Sequence, residues 1–206
     1  MPPPLTASRH AALAGWWEEQ RRDLPWRRTR DPWAVLVCEV MAQQTQVARV
    51  AERWAPFLER FPTPTALAEA PVAEVVRAWA GLGYNRRARD LHRCAQQVVD
   101  RHRGQLPAAL DELLALPGIG PYTARAVLAF AFERDHGVVD TNSARVLARW
   151  AGRPLRVREA QAAADEVVPP GRAWMWNQAM LDLGAMVCTR RHPRCDECPT
   201  RRSCAS

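Results

Sequence analysis

Four cysteines near the carboxyl end of the chain have the spacing of a metal site. They follow the pattern C-x6-C-x2-C-x5-C within 17 residues, at Cys188, Cys195, Cys198 and Cys204. Four thiolates in so short a segment suit a tetrahedral metal ion or a four-iron cluster. Only one pair has the C-x2-C spacing that zinc sites usually contain twice, so the spacing favours a cluster. A zinc site and four unrelated thiols remain the alternatives.

One carboxylate interrupts an apolar segment. Glu39 is the only charged residue in A-V-L-V-C-E-V-M-A, residues 34–42. Burial of a carboxyl group raises its pKa, so Glu39 could keep a proton near neutral pH and act as a general acid. The alternative is a glutamate on the one exposed stripe of that helix. The polar segment Q-Q-T-Q that follows, residues 43–46, could meet base edges or fill a gap in a duplex.

A second carboxylate, Asp140, stands directly before a helical pattern. Aspartate is a preferred N-cap, and capping is its expected structural role. Capping does not exclude chemistry, because a carboxylate held at a helix start stays ionised and could stabilise a nearby cation. Asp140 is therefore a candidate for both roles.

A glycine-rich turn, L-P-G-I-G at residues 116–120, lies between two helical patterns. Gly118 and Gly120 let the backbone turn tightly and approach a ligand closely. Pro121 suits the first turn of the next helix, whose free N–H groups form an anion site. In a basic protein the expected anion is a nucleic-acid phosphate. A plain helix-to-helix turn is the alternative interpretation.

The charge balance indicates a polyanionic partner. The chain has 29 basic residues against 22 acidic ones, and all of the basic residues are arginine. The planar guanidinium matches the geometry of phosphate groups. Because lysine is absent, Schiff-base chemistry by a lysine side chain is excluded.

Helices must position these residues, because no useful stretch of the sequence alternates with a period of two. The sequence therefore predicts an all-α fold, in which Cys38 and Cys94 are core thiols. The predicted helices cover the first residues up to about 22 and then 34–44, 47–60, 65–70, 72–80, 86–102, 111–115, 121–133, 142–151, 157–168 and 173–186. The longest apolar run near the middle is seven residues, against about 20 for a membrane span. No secretory signal is visible at the start, and we expect a cytoplasmic protein.

Taken together, the motifs resemble the helix-hairpin-helix DNA glycosylases of the endonuclease III superfamily, and within it the MutY-type adenine DNA glycosylases. The resemblance covers about residues 10–204. Beyond the hairpin, V-V-D at 138–140 and the cysteine loop, it rests on L-P-W at 24–26, E-V-M-A-Q-Q-T-Q at 39–46, G-L-G-Y at 81–84 with R-A-R at 87–89, and N-Q-A-M-L-D-L-G-A-M at 177–186.

The resemblance implies hydrolysis of the bond between adenine and deoxyribose in DNA, with the adenine flipped out of the stack. Glu39 would protonate the leaving base and then help water to attack, and Asp140 would stabilise the sugar cation with support from Tyr122 and Asn142. Other implied site residues are Trp26, Arg27 and Asp182 in the adenine pocket, Gln44 and Tyr84 as wedges in the duplex, Gly118 and Gly120 at a phosphate, and Cys188, Cys195, Cys198 and Cys204 around a [4Fe-4S] cluster.

The resemblance also implies two lobes with DNA in the cleft between them. The six-helix lobe with the hairpin would comprise residues 28–135. The other would combine residues 1–27 with 136–206 and contain the cluster loop at 188–204. The expected partner is double-stranded DNA with a mispaired or damaged base, bound by a nucleoid-associated monomer that makes no membrane contact. Relatives that also cut the strand use a lysine where this chain has Tyr122, so we expect base removal with little or no lyase activity.

The sequence departs from the family pattern at several positions. It ends two residues after Cys204, whereas MutY-type enzymes usually have a further domain that recognises 8-oxoguanine, so the choice between 8-oxoguanine and guanine as the preferred partner of adenine stays open. Asn85 replaces a second tyrosine, Thr141 replaces a glycine, and Ala42 replaces a leucine. These differences leave open a thymine or uracil glycosylase acting on T:G or U:G mispairs, and a DNA-structure binder without catalysis.

Overall fold

The structure, a computed structural model, describes residues 3–206, with side chains from residue 7 onward. Within these residues the regular structure is entirely helical, and the predicted all-α class is confirmed. The α-helices are α1 Pro3–Gln20, α2 Pro32–Ala42, α3 Val47–Arg60, α4 Pro64–Glu69, α5 Val72–Ala78, α6 Arg86–His102, α7 Leu110–Leu114, α8 Pro121–Phe130, α9 Thr141–Ala151, α10 Val157–Val167 and α11 Ala173–Met186. Short 3-10 helices cover Pro25–Arg28, Cys195–Glu197 and Arg201–Ser203.

Prolines, caps and left-handed residues set the helix boundaries. The second helix was predicted over 34–44, but α2 begins at Pro32, because Asp31 accepts a hydrogen bond from the Trp33 amide at 2.9 Å and proline suits the first turn. It ends at Ala42, since Gln44 has a φ of 55°, outside the right-handed helical region. The helix after the hairpin also ends earlier than predicted, at Phe130.

The chain divides into two units. The first, the middle unit, comprises Leu24–Phe132. The second, the terminal unit, combines the described residues up to Asp23 with Glu133–Ser206. The lobes predicted from the sequence, residues 28–135 and residues 1–27 with 136–206, and the binding of DNA between them stay predictions.

The middle unit is built around α2. All residues from Trp33 to Met41 are buried, because α3, α6 and α8 all pack against this helix. Two tryptophans fix α2 through backbone contacts: Trp54 Nε1 donates to Ala34 O at 2.9 Å, and Trp33 Nε1 donates to Phe61 O at 3.0 Å. The predicted core thiols Cys38 and Cys94 are both buried in this unit.

The terminal unit packs α1, α9 and α11 together, with α10 against α9. Gly184 allows the close approach of α11 and α9, since a Cβ there would lie 2.7 Å from the Cβ of Asn142 and 2.8 Å from its carbonyl carbon. The fold thus places the start of α9 directly on α11. No helix among residues 3–206 is both long and apolar enough to cross a membrane.

Candidate functional site

Glu39 is buried in the middle unit, with 8 % of its surface exposed. It lies in α2, where its neighbours Cys38 and Val40 are also buried. The structure therefore excludes a glutamate on an exposed stripe of α2 and leaves the interpretation of Glu39 as a buried carboxyl group. Burial raises the pKa of the Cys38 thiol well above its ordinary value, and the negative charge of Glu39 raises it further.

Arg87, at the start of α6, holds the end of α2 in place. The last carbonyls of a helix have no partner inside the helix, and a guanidinium can satisfy several of them at once. Burial lowers the pKa of Arg87. Its guanidinium donates to Val40 O at 2.9 Å, Met41 O at 2.9 Å, Gln43 O, Thr45 Oγ1 at 3.0 Å, Leu82 O at 3.0 Å and Gly83 O at 3.1 Å. No spacing in the sequence marks Arg87 as this connection, and we did not predict it.

The structure brings the two predicted wedge residues together. Gln44 and Tyr84 line one surface depression of about 710 Å³, together with Arg49 of α3 and other residues of the loops at 44–46 and 80–85. Both have left-handed backbones, with φ values of 55° and 48°, which is uncommon for residues other than glycine. Tyr84 is 66 % exposed, and the Arg87 guanidinium lies 5.6 Å from its ring centre.

The glycines of the predicted phosphate-binding turn lie between α7 and α8. Gly118 has a φ of 77°, and a Cβ there would lie 2.8 Å from the Cβ of Asp90 on α6, so glycine is needed for packing as well as for the turn. Gly120 has an extended backbone before Pro121, which is the first residue of α8. Tyr122 follows and is half-buried. The hairpin has the form that the sequence predicted.

The three residues predicted for the adenine pocket do not all lie in one unit. Trp26 and Arg27 belong to the 3-10 helix of the middle unit, where Trp26 packs edge-on against Trp54 with ring centres 6.3 Å apart. Asp182 belongs to the terminal unit and is fully buried. Its carboxylate accepts hydrogen bonds from Trp17 Nε1 at 3.1 Å, Arg22 Nε at 2.6 Å and Arg22 N at 3.3 Å. These bonds attach α11 to the first segment of the chain.

Asp140 caps α9, as its position predicted. Its Oδ1 accepts from the amides of Asn142 at 2.8 Å and Ser143 at 2.7 Å, and its own amide donates to Ser143 Oγ at 2.9 Å. Its Oδ2 accepts from the side-chain amide of Asn142 at 3.0 Å. Both carboxylate oxygens of Asp140 are therefore held by hydrogen bonds, and the Asn142 side chain lies directly beside this carboxylate.

Arg145 supports this pair from the next turn of α9. Its Nη2 donates to Asn142 Oδ1 at 2.9 Å and to Gly184 O at 2.6 Å, and its Nε donates to Cys188 O at 2.7 Å. Because the Asn142 oxygen is held by Arg145, its nitrogen faces Asp140. The sequence analysis did not predict this role of Arg145. Its position one turn after Asn142 on α9 is the signal that could have suggested the contact.

The four cysteines of the predicted cluster lie in one loop, but their sulfur atoms are not close together. Arg149 Nη1 donates to Cys188 Sγ at 3.1 Å, Cys198 Sγ lies 3.4 Å from Thr200 Oγ1, and Cys204 Sγ donates to Arg149 O at 3.7 Å. Four thiols with nearby donors and positive charge fit the chemistry of an iron–sulfur cluster. Among residues 3–206, however, no three cysteine, histidine or carboxylate side chains are gathered closely enough to hold a metal ion.

Comparison with known proteins gives consistent matches. A family model described as HhH-GPD superfamily base excision DNA repair protein matches residues 37–170. The chain is 46 % identical over 192 residues to an adenine DNA glycosylase of Mycolicibacterium smegmatis, covering 91 % of this chain and 66 % of the relative. It is 43 % identical over 207 residues to an adenine DNA glycosylase of Mycobacterium tuberculosis, covering 96 % of this chain and 68 % of the relative. The chain thus spans about two thirds of these relatives.

Two solved structures extend the likeness to the whole fold. A thermostable thymine-DNA glycosylase superimposes with a TM-score of 0.93 at 28 % identity, over 98 % of this chain and 96 % of that one. A trapped covalent intermediate of endonuclease III with DNA superimposes with a TM-score of 0.80 at 25 % identity, over 97 % of this chain and 95 % of that one.

Proposed function

Because the chain belongs to the HhH-GPD superfamily of base excision DNA repair proteins, and within it to the family of the adenine DNA glycosylases, we propose that it removes adenine from DNA by hydrolysis. The substrate is double-stranded DNA in which adenine is mispaired with 8-oxoguanine or guanine. Similarity to an endonuclease III complex with DNA supports a duplex as the partner. We propose that the protein acts as a monomer at the nucleoid.

The burial of Glu39 carries this proposal. In α2 it is 8 % exposed, and its neighbours Cys38 and Val40 along the helix are buried as well. Glu39 donates its proton to a ring nitrogen of the flipped adenine, and the bond between the base and C1′ breaks with its electron pair leaving on the base. The carboxylate then accepts a proton from the water whose oxygen attacks C1′. The products are adenine and an abasic site.

Asp140 stabilises the sugar cation that forms between these steps. Its carboxylate is ordered by the α9 amides and by Asn142, so it presents fixed negative charge without reorganisation. Tyr122 takes the place at which strand-cutting relatives have a lysine, and the chain contains no lysine. Water is therefore the nucleophile, and borohydride treatment during the reaction gives no covalent adduct with DNA.

The other predicted residues serve binding. We propose that Gln44 and Tyr84 insert into the duplex, that the amides around Gly118 and Gly120 hold a phosphate, and that Trp26 and Arg27 line the adenine pocket. A role of Asp182 in that pocket stays a prediction, because its observed bonds to Trp17 and Arg22 serve packing.

We propose that Cys188, Cys195, Cys198 and Cys204 hold a [4Fe-4S] cluster. These four thiolates would hold the cluster, which would cross-link the loop. Arg149 lies beside one of the sulfurs and offsets their negative charge. Iron and sulfide analysis of protein purified without oxygen tests this assignment, and a zinc content of one per chain would contradict it.

A second candidate, removal of thymine or uracil opposite guanine, is favoured by the TM-score of 0.93 with a thymine-DNA glycosylase. The identity of 46 % with an adenine DNA glycosylase against 28 % with the thymine enzyme favours adenine. The deciding experiment is release of bases from A:8-oxoguanine, A:G, T:G and U:G duplexes. We expect alkali-dependent strand breaks at adenine; breaks confined to thymine or uracil would overturn the proposal, and DNA binding without any release would indicate a non-catalytic binder.

A further inference from the structure

The depression beside Gln44 and Tyr84 contains an arginine that the proposed chemistry does not use. Arg49 is in the first turn of α3 and lines this depression. Its Nη1 donates to Gly81 O at 3.1 Å, and its remaining guanidinium N–H groups have no partner among the described residues. This bond places Nη1 at the edge of the depression, and it leaves most of the five guanidinium donors for a ligand.

The rest of the depression suits a planar base. Val76, Ala80 and Leu82 supply apolar surface, and its volume is about 710 Å³. Apolar surface for stacking, together with a few fixed donors at the edge, is typical of sites that hold aromatic ligands. Nucleic-acid bases also stack on exposed tyrosine rings, and Tyr84 stands at this edge with 66 % of its surface exposed.

The backbone around the depression is strained, and Arg87 holds it by hydrogen bonds. Gln44 and Tyr84 both have left-handed φ values, which cost energy in residues other than glycine. Such strain persists where surrounding bonds impose it, and it is concentrated at functional sites. Here the imposing bonds come from Arg87, whose guanidinium donates to carbonyls of both loops.

We propose that Arg49 reads the base opposite the excised adenine and selects guanine. This inference rests on the proposed DNA glycosylase function and names the residue that selects guanine in its A:G substrate. Arginine donates two parallel hydrogen bonds to O6 and N7 of guanine, the commonest specific contact between a side chain and a base. Cytosine presents its amino group as a donor on the same edge, so the donors of Arg49 meet no acceptor there.

Binding to duplexes that contain a stable abasic analogue tests the inference without requiring catalysis. The analogue is placed opposite guanine, adenine, cytosine or thymine, and the dissociation constant is measured by fluorescence anisotropy at several salt concentrations. Arg49→Lys keeps the charge but loses the planar fork, and Arg49→Met loses both. Arg77→Met removes an exposed arginine on α5 that lies outside the depression, and it serves as the charge control. Thermal unfolding confirms that each variant is folded.

We expect the parent protein and Arg77→Met to bind the guanine duplex more tightly than the cytosine duplex. In Arg49→Lys this ratio falls by about 5- to 100-fold, while the dependence on salt stays the same. If the parent protein binds the guanine and cytosine duplexes equally well, or if Arg49→Lys keeps the parent's preference for guanine, the inference is overturned. Uniform weakening in Arg49→Met with a salt slope lower by about one overturns it as well, because that result identifies a phosphate contact.

The same duplex series separates this inference from the proposed function. If the parent protein releases no adenine from an A:G duplex, the proposed function fails, although a preference for guanine in binding can still be measured. If adenine is released and Arg49→Lys keeps the preference for guanine, only the inference about Arg49 fails.

Discussion

The Nη1 atom of Arg149 lies 3.1 Å from the sulfur of Cys188, so the helix that Asp140 caps at its start is attached to the cysteine loop near its end. Between these points, Arg145 bonds to Asn142 and to the backbone of Cys188. One helix of 11 residues therefore carries a proposed catalytic carboxylate and the anchor of the proposed cluster loop. The stability of the loop and the order of the carboxylate are expected to depend on each other.

Replacing Arg145 tests this dependence. Arg145→Met removes the donors to Asn142 Oδ1, Gly184 O and Cys188 O, and these half-buried acceptors would lose their partner, which is costly. We expect the free energy of unfolding to fall by about 2–4 kcal/mol and kcat to fall more than KM changes. Urea unfolding and steady-state kinetics measure these effects. Arg158→Met, on the exposed side of α10, is the control and is expected to change stability by less than about 0.5 kcal/mol. Equal effects of the two substitutions would refute this role.

The contact between α11 and α9 is tested by adding one methyl group. In Gly184→Ala the new Cβ would lie 2.7 Å from the Cβ of Asn142, so one helix must shift. We expect a loss of about 1–3 kcal/mol in stability and slower base release. Gly15→Ala is the matched control, because a Cβ at this exposed site in α1 meets nothing within 4 Å and alanine favours helix. That variant should gain about 0.5–1 kcal/mol. A stable Gly184→Ala protein of normal activity would contradict the packing account.

We expect Tyr84 to lower the stability of the fold and to strengthen DNA binding. Its φ of 48° is unfavourable for a residue with a Cβ, so Tyr84→Gly should keep or raise the free energy of unfolding, by up to about 1 kcal/mol. The same change removes the ring and should weaken DNA binding by about 1–3 kcal/mol. Arg103→Gly is the control, since Arg103 has a φ of 55° at the end of α6 and should show the gain without the loss. Unchanged DNA affinity in Tyr84→Gly would remove Tyr84 from the interface.

Local patterns were sufficient to predict the helices. The sequence alone placed α3 and α6 at their observed bounds, since periodic apolar residues and flanking glycines or prolines act within a few residues. It placed the end of α2 two residues too late, because the backbone turns left-handed at Gln44, next to the Gln43 carbonyl that Arg87 from α6 bonds. Such a long-range bond leaves no periodic signal in the sequence.

The same distinction holds for the candidate site. The isolation of Glu39 in an apolar segment and the N-cap position of Asp140 could be read from neighbouring residues, and the structure shows the burial and the cap. The supporting residues Arg87, Arg145 and Gly184 could not be found in this way. Each acts on a partner from a different helix or loop, and only the folded chain brings the two together.

The buried thiol of Cys94 makes stability fall in alkaline solution. Burial raises the pKa of Cys94 from 9.0 to about 12. Above pH 9 the unfolded chain releases this proton while the folded chain retains it, so stability falls as the pH rises towards 12. Cys94 contributes up to about 1.4 kcal/mol per pH unit to this slope. Urea unfolding of reduced protein from pH 8 to 10.5 measures the slope, and Cys94→Ala should make it less steep, while the part that comes from the buried Cys38 thiol remains. Parallel profiles of parent and variant would contradict this assignment.

The proposed transfer of a proton from Glu39 to the leaving base is the central claim. Glu39→Gln keeps the shape of the side chain in α2 but cannot donate a proton to the leaving base. In single-turnover reactions on an A:G duplex, we expect adenine release to slow by about 100-fold or more, while affinity for an abasic-analogue duplex and thermal stability stay within error. Glu52→Gln, exposed on α3, should react like the parent protein. Adenine release by Glu39→Gln at the parent rate would contradict the account.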